Sequence, residues 1–207
     1  MVTALTVTIF KKNTDLFLYC SRLFVILQMI MRRLKHIFVW LSRITHCRGF
    51  GIQSPTDYWL VRYVINEHWP YYHYAEVGRE DCWLRQKMGR LYLRLANWRQ
   101  PTVVVSDDYS EYFKAGCHKA ELVESVSFVG ATLELVRLVA NDELDMTSIY
   151  NKVDERTVLV VEEIRRYPKL WKTIVDDDRT GVTFDLYYCG IVLFDKKRTK
   201  QHYIINF

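Results

Sequence analysis

From residue 58 onward the apolar positions of this chain alternate between two rhythms, one helical and one extended. Tyr58–His68 carries Trp59, Val61, Tyr63, Val64 and Ile65 after the turn Gln53-Ser54-Pro55. It predicts a helix stopped by Pro70, because proline lacks a backbone donor and fixes φ. Asp81–Trp98 repeats Leu84, Met88, Leu91, Tyr92, Leu95 and Trp98 as an apolar stripe, which predicts a second helix. After Pro101, the run Thr102-Val103-Val104-Val105 is too short for a helix and rich in β-branched residues, so it reads as a buried strand. Ala120–Glu124 is a further candidate strand, and Leu133–Val139 fits a strand or a helix. Met146–Val153 reads as helix, Thr157–Val161 as the clearest buried strand, and Tyr167–Asp176 as another helix. Val182–Tyr187, Gly190–Phe194 and His202–Phe207 form a closing antiparallel set linked by short turns. Helix–strand alternation with such an ending predicts a three-layer α/β domain around a mixed sheet. That sheet should hold Val103–Val105 and Thr157–Val161 as parallel neighbours or near neighbours.

The first 45 residues follow a different pattern. Leu16–Met31 is largely apolar but is interrupted by Ser21, Arg22 and Gln28. A spanning helix needs about 20 apolar residues without a charge inside, and a secretory signal needs a clean apolar stretch before a small-residue cleavage site. From Met31, the positions Leu34, Ile37, Phe38, Leu41 and Ile44 recur at helical spacing, with Arg32, Arg33, Lys35 and Arg43 on other faces. Residues 1–45 are therefore expected to be a basic amphipathic helical extension, docked or lying on a membrane surface, and 46–207 a single domain.

Charge sharpens this division. Residues 1–50 hold eight Lys or Arg against the single acid Asp15, a balance of +7, which leaves −2 of the chain's net +5 for residues 51–207. A near-neutral domain does not suggest nucleic acid as the partner. The five cysteines (Cys20, Cys47, Cys82, Cys117, Cys189) include no CxxC pair, a usage that fits reduced thiols in the cytoplasm. Neither His46-Cys47 nor Cys117-His118 has the spacing of a zinc site.

Two stretches resemble the class I S-adenosylmethionine-dependent methyltransferases, in particular a Bacteroidetes-type O-methyltransferase-like group. One is Arg48-Gly49-Phe50-Gly51-Ile52-Gln53-Ser54-Pro55 with Tyr58 and Trp69-Pro70-Tyr71-Tyr72. The other runs from Val160-Val161-Glu162-Glu163-Ile164 through Trp171, Val182–Leu186 and Gly190–Phe194 to Lys200–Tyr203. The resemblance covers roughly residues 46–101 and 153–207. It implies a Rossmann-like methyltransferase fold with S-adenosylmethionine held at the carboxyl ends of the first strands.

The chain departs from that pattern where the cofactor would sit. A glycine-rich turn lets the backbone approach a cofactor and visit positive φ, but Val105 is followed by Ser106-Asp107-Asp108-Tyr109-Ser110-Glu111, with no glycine before Gly116. These acids and the tyrosine should crowd the cofactor and repel its carboxylate. Val139 stands where the fourth strand of the family ends in an acid, and Gln53 replaces the histidine before Ser-Pro. If the chain is an active methyltransferase on a small molecule, S-adenosylmethionine is its cofactor and Asp107 and Glu124 are the residues to contact it. The leading expectation is a shortened member without a cofactor, acting as an interaction or regulatory scaffold.

Other candidates have plainer readings. Glu162-Glu163 could hold a hard cation, but adjacent strand residues face opposite ways and no third ligand is evident, so no metal is expected. Asp185 reads as a structural acceptor. The aromatic residues Tyr58, Trp59, Trp69, Tyr71, Tyr72 and Tyr74 read as core and lid packing before a base-stacking surface. No catalytic residue is nominated. The expected partner is an unidentified protein, and residues 1–45 are a candidate for membrane-surface contact. Because residues 1–30 differ in charge and pattern from the domain, a shortened chain beginning at Met31 is expected to be soluble and to unfold in one cooperative transition. If only the full chain folds, the extension belongs to the core.

Overall fold

A computed structural model describes residues 22–31, 33–130 and 132–207. The chain divides into two compact units, one ending at Ile44 and one spanning Thr45–Phe207. In the first, residues 22–31 and 33–42 are helical (α1). Most apolar side chains there stay open to solvent, with Leu23 63% and Phe38 73% exposed, while Val39 is buried. The part of the apolar stretch before residue 22 lies outside the described residues. No helix of the described residues is long and apolar enough to cross a membrane.

The second unit is built on a seven-stranded mixed sheet in the order β2-β1-β3-β4-β6-β5-β7. The strands are β1 (Val103–Val105), β2 (Glu121–Val123), β3 (Leu133–Val139), β4 (Val153–Glu162), β5 (Val182–Asp185), β6 (Cys189–Leu193) and β7 (Gln201–Ile204). The four strands from β2 to β4 are parallel, and β6 runs antiparallel between β4 and β5. β1 and β4 are thus near neighbours with β3 between them. Leu133–Val139 is extended, because it is flanked by strands on both edges and buried on both faces.

Side-chain alternation divides the core between the two faces of the sheet. Val104, Leu135, Val158, Val160, Phe184 and Ile191 pack in one cluster with residues of α2 (Pro55–Leu60), α3 (Trp83–Arg99) and α4 (Ser110–Gly116). Val105, Val136, Leu159, Val161 and Val192 pack in the other with α5 (Met146–Tyr150) and α6 (Pro168–Asp176). Helices on both faces of an open, mixed sheet make a three-layer α/β domain.

Three details depart from the expectations. The helix near Tyr58 begins earlier, at Pro55, with Ser54 Oγ accepting from the Asp57 backbone N–H. Its last turn, Val61–Ile65, widens into a π turn. The helix at Met146 ends at Tyr150, because the chain extends again at Val153 to pair with β3. The closing set is not wholly antiparallel: β7 runs parallel to β5. Since β4 occupies the other edge of β6, a chain reversing after β6 finds free backbone groups only along the outer edge of β5. Cys47, Cys82, Cys117 and Cys189 are free thiols.

Gly190 sits where β6 passes under α6. A Cβ at this position would lie 2.2 Å from Trp171 Cη2. Trp171 Nε1 meets no acceptor among the described residues, so packing alone holds the indole. Gly190→Ala is expected to destabilise the protein by about 2 kcal/mol in urea unfolding. Adding Trp171→Leu should return part of that loss, which an unrelated defect at Gly190 would not allow.

Candidate functional site

Strand order reverses between β1 and β3, and in open α/β sheets the crevice beyond the carboxyl ends at such a point is where ligands bind. Ser106–Tyr109 enters this crevice after β1, Glu124 follows β2, and Glu162 ends β4. The crevice is filled by side chains of the protein itself.

Arg137, on β3, is at the centre. Its side chain is only 5% exposed although it lies in an otherwise apolar run. Its Nε and Nη2 donate to the two carboxylate oxygens of Glu162 at 2.9 and 3.0 Å, a bidentate pair across neighbouring strands. Nη1 donates to Asp107. Glu162 accepts a further hydrogen bond from the hydroxyl of Tyr92, which reaches down from α3. Burial, reinforced by the Glu162 charge, pushes the Tyr92 hydroxyl well above its usual range, so it remains a donor.

A second cluster closes the outer side. Arg85 of α3 donates to both oxygens of Asp108 at 2.6 and 2.7 Å, and its Nε donates to Asp81 at 3.1 Å. The hydroxyl of Tyr112 donates to the other oxygen of Asp81 at 2.8 Å. Gly89 makes room for this tyrosine, since a Cβ there would stand 2.4 Å from Tyr112 Cζ. The Arg85 hydrogen bonds hold the Asp108 carboxyl down at about 2.

Tyr109 joins the clusters. It has the positive φ, 59°, that the turn after the first strand was expected to assign to glycine. The left-handed conformation is retained, and a buried ring comes with it. Arg85 lies 4.5 Å and Arg137 5.1 Å from the ring centroid, while Tyr92 stacks edge-on at 4.9 Å. Cation–π attraction and burial offset a backbone cost on the order of 1 kcal/mol.

The two sequence-nominated positions follow the carboxyl ends of adjoining strands, Asp107 after β1 and Glu124 after β2. Asp107 is in the crevice, bound to Arg137, whereas Glu124 is exposed. Asp107 and Asp108 are each paired with an arginine, but Arg137 also serves Glu162 and Arg85 also serves Asp81, so two arginines meet four acids and the crevice keeps an excess of negative charge around its packed side chains. Among the described residues no group of three His, Cys, Asp or Glu is placed to hold a metal. Glu162 and Glu163 diverge: Glu163 turns to positive φ, 57°, and pairs with Arg166 at 3.3 Å. Asp185 is buried, accepting from Tyr187 N–H at 2.8 Å and from Arg165 at 2.6 Å.

The sequence reading missed Arg137, Arg85 and Tyr92. The signal for Arg137 was available, because a charge inside an apolar strand demands a buried partner. Comparison with known proteins gives no match: no family model, characterised protein or solved structure is similar to this chain at a significant level.

Removing Arg137 strands a carboxylate that is 15% exposed. Arg137→Met is therefore expected to cost about 3 kcal/mol, and the double change with Glu162→Met less than the sum of the single ones. Equal, additive losses in urea unfolding would refute the pairing. For Asp108 the folded pKa lies below the ordinary 3.8, so its stabilisation is present above that value and is lost as pH falls toward about 2. The carboxylate is 40% exposed, so screening reduces the effect to about 1 kcal/mol, and Asp108→Asn should remove that part of the acid-side decline.

Proposed function

We propose that this protein is a methyltransferase-like scaffold without methyl-transfer activity, serving as an interaction or regulatory module. The observation that carries this reading is the Tyr109–Arg137–Glu162 assembly. It fills the crevice at the β1–β3 switch point, where the resemblance places S-adenosylmethionine. Opening the crevice would break a bidentate ion pair and expose the Tyr109 ring, a cost that cofactor contacts must first repay. The parallel half-sheet with β6 inserted antiparallel is consistent with the scaffold half of the reading. Function rests on the site and not on the fold.

The competing reading is an active S-adenosylmethionine-dependent methyltransferase whose crevice opens on binding. Calorimetry with S-adenosylmethionine and S-adenosylhomocysteine at millimolar ligand should give no saturable heat. A dissociation constant below about 50 μM would replace the scaffold reading with the enzyme.

A second contact follows from α1. All its described apolar residues but Val39 are exposed, and Arg22, Arg33 and Lys35 add positive charge. An anionic lipid surface matches both features. The full chain should therefore float with vesicles containing phosphatidylserine and stay behind with neutral vesicles, and a chain beginning at Thr45 should float with neither. Equal recovery with both vesicle types would remove the electrostatic contribution.

A further inference from the structure

On the side of α3 facing Ile65–Ala75, away from the crevice, lies an open groove of about 570 Å³. This is within the range of small-ligand sites. Three cations of α3 line it, at positions 87, 90 and 94, successive positions along one helical face. None of the three takes part in an ion pair among the described residues, although the crevice arginines Arg85 and Arg137 each hold a carboxylate.

Arg94 is buried, and among the described residues its charge is met by neutral oxygens. Nε and Nη2 donate to the Val64 and Ile65 carbonyls at 2.6 and 2.8 Å, and Nη1 donates to the Tyr74 hydroxyl at 2.9 Å. Those carbonyls end the π turn, so Arg94 has a structural task as a cap. Lys87 has no such task. Its ammonium sits 4.9 Å from the Trp83 ring centroid and 4.6 Å from that of Phe207, with no hydrogen bond among the described residues. Burial, with Arg94 adding to it, lowers the amine to about 8. Arg90 lies over the Tyr74 ring at 4.9 Å and is likewise without an acid. Glu67 is the acid of the lining, and it accepts from the Tyr71 hydroxyl at 2.6 Å.

A half-buried ammonium without a counter-ion is costly in the empty protein, and a cation–π contact recovers only part of its hydration. The positive field extends beyond the groove. His68, on its wall, is held below its usual range by burial and then by Arg48, Arg94, Arg62 and Lys87. Trp69, 75% exposed, offers ring surface beside these charges, while the Trp83 ring already carries Lys87. We propose that the groove binds a small organic anion, a planar ring bearing a phosphate or carboxylate, with the anion between Lys87 and Arg90 and the ring against Trp69. A single such anion supplies the missing counter-charge and covers the exposed ring. The near-neutral charge of the domain and the limited length of the groove favour a small molecule over a nucleic-acid strand. This site is separate from the switch-point crevice and does not depend on whether that crevice admits a cofactor.

The test titrates the full chain with phenyl phosphate and benzoate, using inorganic phosphate and benzyl alcohol as the half-ligands, and reads melting temperature and tryptophan fluorescence. One or both ring-bearing anions should bind saturably, with a dissociation constant below about 1 mM, and each half-ligand should bind at least about tenfold more weakly. The preferred anion then distinguishes phosphate from carboxylate. Arg90→Gln and Lys87→Met should each weaken binding by about tenfold. If Lys87→Met does not fold, mass spectrometry of the unmodified protein substitutes for it: bound phenyl phosphate should protect Lys87 from acetylation while Lys119 and Lys196 react as before. The proposal is overturned if neither anion binds below about 10 mM, if benzyl alcohol binds as well as the anions, or if Arg90→Gln and Lys87 protection leave binding and labelling unchanged.

Discussion

The bidentate pair between Arg137 and Glu162 is the constraint around which the rest of the sheet edge is arranged. It ties the two neighbouring parallel strands β3 and β4 near their carboxyl ends, where an open α/β sheet would otherwise leave a crevice. A guanidinium so deeply buried must have its donors satisfied, and three elements contribute: β4 supplies Glu162, the turn after β1 supplies Asp107, and α3 supplies the Tyr92 hydroxyl that completes Glu162. Such a pair is not a large source of net stability, since desolvation offsets most of its attraction. Its effect is on specificity, because any arrangement that separates the three elements leaves a buried charge alone. None of the three elements can move away alone without breaking one of these contacts.

Tyr109 extends that constraint into the backbone. A glycine at this turn would give the same φ with nothing to insert, leaving space for a ligand. With tyrosine the same left-handed turn brings a buried ring against two guanidinium groups, in space that a glycine would leave empty. The two arginines, otherwise repelling, are held near one another by the negative face of the ring and by separate carboxylates.

Much of the fold was legible in the chain because its strands are short apolar runs bounded by clear stops. Val103–Val105, Val158–Val161 and the β5–β6 pair lie where their β-branched residues predict. Leu133–Val139 was ambiguous because its pattern fits either period, and only the neighbours on both edges decide it. The direction of β7 was not legible for the same reason: it depends on which edge is free, a property of the assembled sheet. At the site, the absence of glycine after β1 was readable, but the identity of what fills the space was not. Arg85, Tyr92 and Arg137 come from segments far apart in sequence, and only their convergence gives the acids of the turn their partners. The unpaired state of Lys87 and Arg90 is equally invisible in sequence, where nearby acids such as Glu67 and Asp81 stand available; the fold commits these to Tyr71 and Arg85.

The closing of the domain on itself has a topological consequence. Cys47 and Asn206 form an isolated parallel bridge, and the Asn206 N–H donates to the His46 carbonyl at 3.0 Å. The first and last residues of the 45–207 unit therefore lie side by side, a few ångströms apart. A body whose ends meet at one point can be carried on another polypeptide as a loop insertion, or have its ends joined and reopened elsewhere, without its strand order changing. In modular terms the unit has a single port, and whatever is attached before residue 45 or after residue 207 begins from the same corner of the sheet.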